Sequence, residues 1–135
     1  MFVFTSRGGI LNLEMGLKHS TAKSFEYAFG GIKTALKNEP NLKIHTFFAL
    51  LAISFAAVLH VSTIEWLLLT FTIFYVITLE LLNSVLEALV NLVSPEIQPF
   101  AKTAKDVSAA CVLLAAIMSV IVGLVIFIPK ILGFL

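Results

Sequence analysis

Charge is what this sequence has least of. Asp, Glu, Lys and Arg make up only 13% of its 135 residues, against 59% that are hydrophobic. A soluble domain carries about a quarter charged residues and about half apolar ones, so the composition excludes an ordinary water-soluble globule. Cysteine is almost absent. The single Cys111 lies in an apolar run, which excludes an intramolecular disulfide and points to a packing role. The three histidines, His19, His45 and His60, do not stand at chelating spacing, which argues against zinc. No glycine-rich loop ending in Gly-Lys-Ser or Gly-Lys-Thr occurs, so a P-loop enzyme is excluded. The net charge of +1 comes with no dense basic cluster, and nothing marks a nucleic-acid binder. A cleavable signal is also missing, because Arg7-Gly8-Gly9 splits the short N-terminal apolar stretch and no small-residue cleavage site follows.

What remains is a membrane protein, with too little polar sequence for a second domain. The pattern predicts an all-α, integral membrane chain in which residues 1–135 form one domain. Residues 1–19 are set apart as a leader, with a second methionine, Met15, before the better-patterned sequence. Residues 20–38 are amphipathic. Phe25, Ala28, Phe29, Ile32 and Leu36 recur at three- and four-residue steps, while Lys23, Glu26, Lys33 and Lys37 fall mostly elsewhere. Such a segment reads as a surface helix with lysines near headgroups, capped by Ser20 or Thr21 and broken at Asn38-Glu39-Pro40-Asn41. Three transmembrane helices follow, at 42–60, 64–93 and 100–129, separated by a tight connection at 61–63 and a proline-flanked loop. Pro129-Lys130 is expected to end the last one. Lysine and arginine concentrate before the first span and between the second and third, so the N-terminus is expected in the cytoplasm and the C-terminus outside.

One stretch interrupts the apolar spans in a regular way. At about 100° per residue, Glu80, Asn83, Glu87 and Asn91 share an arc of roughly 80° on one helical face. Ionisable groups inside a membrane helix are expensive and mark function by default; the structural alternative is a polar network that fixes helix packing. The topology brings Glu39, Glu80, Asn83, Glu87, Lys105 and Asp106 toward one membrane level on the cytoplasmic side. Clustered carboxylates with an amide and no thiol suit a hard, oxygen-ligated cation such as Mg²⁺, which takes its remaining ligands from water and phosphate. A proton or ion carrier and a purely structural subunit remain open on these grounds. The outer halves of the spans are almost wholly apolar, which argues against a relay through the full membrane depth.

Glu80-x-x-Asn83-Ser84-x-x-Glu87, followed by Ala101-Lys102-x-Ala104-Lys105-Asp106-x-x-Ala109-Ala110, resembles the small prokaryotic diacylglycerol kinase family, which includes the undecaprenol kinases. The upstream Asn38-Glu39-x-Asn41-x-Lys43-Ile44-His45 is similar to the N-terminal signature of its Gram-positive-type branch. The resemblance implies homotrimers of three-span subunits, each with an amphipathic surface helix and with active sites shared between neighbours. It implies transfer of the ATP γ-phosphate to a membrane lipid hydroxyl, undecaprenol by the form of the N-terminal block, with diacylglycerol as the alternative. By matching position, Glu39 and Glu87 resemble the Mg²⁺ ligands and Glu80 the base that takes the lipid hydroxyl's proton. Asn83, Lys105 and Asp106 are similar in place to nucleotide and phosphate contacts. Tyr27 is similar in place to an adenine-stacking tyrosine, or else anchors the surface helix at the interface. Two positions depart from the pattern. Asn91 stands where the family usually has Asp, and Gln98 where His is common. An Asn keeps the hydrogen bonds but loses a charge, so Asn91→Asp is expected to raise magnesium affinity or turnover.

Overall fold

The computed structural model describes residues 21–94 and 98–134. The expected leader, a cap at Ser20 and the middle of the 94–99 loop lie outside the described residues. Four helices follow in order: α1 Thr21–Asn38, α2 Pro40–Val58, α3 Thr63–Val93 and α4 Pro99–Phe134. Every regular element among the described residues is helical, and α2, α3 and α4 are each long and apolar enough to cross a membrane. Helix α1 buries none of its side chains, and Phe25, Phe29 and Ile32 on its apolar face are exposed.

A single residue separates α1 from α2. The Glu39 N–H donates to Ala35 O at 2.8 Å and closes α1; the Glu39 carbonyl accepts from Lys43 N at 3.4 Å and opens α2. Pro40 fits the first helical position, where its missing N–H costs nothing and its ring angle is already helical. The first span therefore starts two residues earlier than the apolar pattern suggests. It also ends earlier, at Val58, because the chain turns there in a Schellman motif. Val61 N donates back to Ala56 O at 3.3 Å, and His60 adopts φ 50° between them. Val61 and Ala56 are both buried, and they pack with Leu69 and Ile126 in the apolar cluster beneath the turn. Ser62 then caps α3 with a capping box: its hydroxyl accepts from Glu65 N, and Glu65 Oε2 accepts from Ser62 N at 2.6 Å.

Helices α3 and α4 pack along their length and are clasped at both ends. Glu65 Oε2 also meets Lys130 Nζ at 3.2 Å, and at the far end Lys105 Nζ donates to Asn91 Oδ1 at 2.8 Å. From Glu65 to Asn91 is 26 residues (91 − 65), and from Lys105 to Lys130 is 25 (130 − 105), so the helices run antiparallel in register. The expected stop at Pro129 does not occur: α4 continues through it to Phe134. Proline removes one backbone donor, a loss that membrane helices tolerate when neighbours hold the turn. Here the next residue, Lys130, is pinned by Glu65.

Helix lengths differ in a way that positions the site. At 1.5 Å per residue, the 19 residues of α2 span about 28 Å and the 31 of α3 about 46 Å. The tight turn aligns their other ends, so α3 runs on for roughly 17 Å past the start of α2.

Candidate functional site

Polar atoms gather where α2 begins against the middle of α3. Glu80 is only 2% exposed and Asn83 only 7%, and Ser108 on α4 is buried nearby in sequence register. Asn41 lies within hydrogen-bonding reach of the Glu80 carboxylate, and His45, Glu39 and Glu87 stand near it. Asn41, His45, Glu80 and Asn83 face a cavity of about 220 Å³, with Val112 and Ala116 among its other walls. The i, i+4 spacing of Asn41 and His45 puts both on one face of α2.

Two acceptors in this cavity lack partners. Glu80 Oε2 and Asn83 Oδ1 are buried and accept no hydrogen bond among the described residues. The Asn83 amide is oriented by Glu87: its Nδ2 donates to Glu87 Oε1 at 3.2 Å, which leaves its oxygen toward the cavity. Side chains on a helix lean toward its N-terminus, so Glu87 reaches back over Asn83. Unpaired buried acceptors cost about 1–3 kcal/mol each, and they suit a cation or a hydroxyl donor. Glu39 occupies the N-cap of α2, yet its side chain makes no capping hydrogen bond, so the carboxylate is not spent on its own helix.

The donor set fits Mg²⁺: carboxylates and an amide oxygen, with room for water and phosphate oxygens. Among the described residues no group of three His, Cys, Asp or Glu side chains closes around a metal position. A cation here would draw on two carboxylates, Glu39 and Glu87, and on ligands that arrive with it.

The remaining expected residues sit elsewhere. Lys105 is tied to Asn91, two helical turns beyond Asn83 and roughly 12 Å along α3. Asp106 is exposed on α4, next to it. The sequence sets Glu80 about 10 Å deeper than Glu87; in the structure Glu39, Asn41 and His45 lie with Glu80 and Asn83 at a lower level, Asn91 with Lys105 at an upper one, and Glu87 between. The reason is the short α2, which starts level with Glu80 rather than with the end of α3. Tyr27 lies exposed on α1. The polar stripe alone does not bring Asn41 and His45 into the site. Their signal was present, since they share a helix face at the start of the first span.

The fold and this cavity define a three-span membrane protein with a polar site, holding the buried Glu80, recessed among its helices. The chain belongs to the prokaryotic diacylglycerol kinase family, which residues 26–127 match. It is 42% identical over 111 residues to a diacylglycerol kinase of Synechocystis sp., a match covering 82% of this chain and 63% of that protein, which is under two thirds of its length. It is 37% identical over 108 residues to an undecaprenol kinase of Bacillus subtilis, covering 80% and 88% of the two chains. A diacylglycerol kinase of Escherichia coli is 34% identical over 99 residues, covering 73% and 81%.

Proposed function

We propose that this protein is an ATP- and Mg²⁺-dependent membrane lipid kinase that phosphorylates a lipid hydroxyl, undecaprenol in preference to diacylglycerol. The observation that carries the reading is Glu80: a buried carboxylate with an unpartnered oxygen, facing a cavity beside two further carboxylates, in a chain of this family. Glu80 takes the proton of the acceptor hydroxyl as its oxygen attacks the γ-phosphorus. The new P–O bond forms as the bond to the leaving ADP oxygen breaks. Phosphoryl transfer depends on positioning and charge neutralisation more than on covalent chemistry. Glu39 and Glu87 would hold Mg²⁺, which when bound would supply that neutralisation. Asn83 offers its free oxygen to the same site. Lys105 and Asp106 meet the phosphates at the upper level, and Tyr27 meets the adenine.

The protein acts as a homotrimer with sites shared between subunits, its N-terminus in the cytoplasm and its C-terminus outside the inner membrane. Many large apolar side chains of the spans, among them Phe47, Phe71 and Leu114, are exposed on the single chain and suit lipid or a neighbouring copy. The undecaprenol preference rests on the Glu39-x-Asn41-x-Lys43-Ile44-His45 block and on the similarity to the Bacillus subtilis undecaprenol kinase.

The test is a side-by-side assay of the purified protein in detergent micelles with labelled ATP, with and without magnesium, on undecaprenol and on dioleoylglycerol. Magnesium-dependent label in undecaprenol phosphate is expected. Label in neither lipid would end the kinase reading. Mixing inactive Glu39→Ala and Lys105→Ala subunits addresses sharing: restored activity places those two residues in one site from different chains.

A further inference from the structure

One buried hydroxyl is left over. Ser108 is only 8% exposed and shares a buried stripe of α4 with Val112 and Ala115, on the side that packs against α3. Other hydroxyls of the spans turn back on their own helix. Thr46 Oγ1 donates to Leu42 O at 2.7 Å, Ser84 Oγ to Glu80 O at 3.1 Å and Ser119 Oγ to Ala116 O at 2.7 Å. The Ser108 hydroxyl makes no hydrogen bond among the described residues. Its place follows from the antiparallel register. Lys105 meets Asn91. Ser108 is three residues further along α4 (108 − 105), and Glu87 is four residues back along α3 (91 − 87). These steps lead inward by about 4.5 and 6 Å, so Ser108 and Glu87 stand on one rung, between the clasp and the polar cavity. Ala109 and Val112, the next residue and the next turn of α4, line that cavity.

The site is short of donors. Glu80 Oε2 and Asn83 Oδ1 are unpartnered acceptors, and Asn83 Nδ2 is spent on Glu87. Lys105 Nζ is spent on Asn91 at the clasp. The oxygens of a phosphoryl group only accept, so a wall of acceptors turns it away unless donors stand among them. A nucleotide entering from the open end of α3 leads with its terminal phosphate toward Glu80. The rung below the clasp then meets that group, and the clasp meets the phosphates behind it. We infer that the Ser108 hydroxyl donates a hydrogen bond to an oxygen of the γ-phosphoryl group of bound ATP. This rests on the lipid-kinase reading and deepens it by adding a binding residue to the same site. A neutral hydroxyl binds and orients the group, while the acceptor's proton still goes to Glu80.

The experiment measures the affinities of ADP and of the β,γ-methylene analogue of ATP, both with magnesium, by calorimetry on wild type and Ser108→Ala in detergent micelles. Ser108→Ala is expected to weaken the analogue about tenfold, the loss of one hydrogen bond to a charged group, and to leave ADP within twofold of wild type. Ser108→Cys has nearly the same size and a weak donor, so it should resemble Ser108→Ala; wild-type affinity for the analogue in it would show that volume alone matters and overturn the assignment. An unchanged analogue affinity in Ser108→Ala would overturn it too. So would an equal loss for ADP, which would give the hydroxyl to Glu87 rather than to the phosphate. The unfolding temperature of Ser108→Ala should hold or rise, since the hydroxyl has no partner in the fold; a clear fall would make it a packing group instead. Failures are distinguishable. A wild type that binds neither nucleotide ends the kinase reading and this inference together, whereas one that binds both, with affinities indifferent to residue 108, ends this inference alone.

Discussion

Lys105 Nζ donates to Asn91 Oδ1 across 2.8 Å, from one long helix to the next. That contact changes what Asn91 means. By its place on the stripe it was expected to sit beside a cation, as a carboxylate that had lost its charge. In the structure its oxygen is turned to a lysine instead.

The expected outcome of Asn91→Asp follows from this contact. An aspartate would pair with Lys105 and tighten the clasp, by about 0.5 kcal/mol for a partly exposed ion pair. Thermal unfolding in micelles should shift upward, and the half-saturating magnesium concentration should stay where it is. A fall in that concentration would show that the metal reaches position 91 after all.

Glu80 sets activity against stability. Its buried oxygen has no partner, a state that costs about 1–3 kcal/mol. Glu80→Leu should therefore raise resistance to unfolding by about that amount while lipid phosphorylation falls by roughly 10²–10⁴-fold, the usual worth of a general base. A variant that is both less stable and fully active would contradict the assigned role.

Glu87→Gln keeps an oxygen for the Asn83 amide and removes the charge. The fold should persist, with unfolding temperature nearly unchanged. Magnesium-dependent transfer should be lost, and excess magnesium should restore little of it. Near-normal turnover at ordinary magnesium would take this residue out of the metal site.

His60 occupies a left-handed conformation, φ 50°, at the turn between α2 and α3. A β-carbon in that region costs about 1–2 kcal/mol, and glycine avoids it at some entropic cost in the unfolded chain. His60→Gly should stabilise the protein by about 0.5–1 kcal/mol without altering transfer. Chemical or thermal unfolding measures it, and a destabilised variant would mean the imidazole itself supports the turn.

The helices and the stripe were legible because polar residues stand out against apolar spans and repeat at the helical period. Glu80, Asn83 and Glu87 could be placed on one face from spacing alone. Helix-to-helix register could not, since it depends on which side chains meet in three dimensions. Spacing alone therefore sets Lys105 level with Glu39, although it meets Asn91 well beyond. The capping box of Ser62 and Glu65 is written in the sequence, within what the apolar pattern reads as a plain connection. Pro129 reads as a stop because proline breaks isolated helices. The residue after it, Lys130, is held by Glu65, which lies more than sixty residues away (130 − 65 = 65).

Lipid tails are as apolar as leucine, so two membrane helices gain little from hiding apolar surface against each other and can slide along a smooth seam. The pairs Glu65–Lys130 and Asn91–Lys105 act as two rivets on the same seam. A slip of one helical turn, about 5.4 Å, would shear both together. The alignment of Ala109, Val112 and Ala116 opposite Glu80 and Asn83 is thus gauged from points far above and below it. Inserting one alanine into α4 between the rivets would force a choice between them, and the polar cavity midway would be cut to the wrong measure whichever one held.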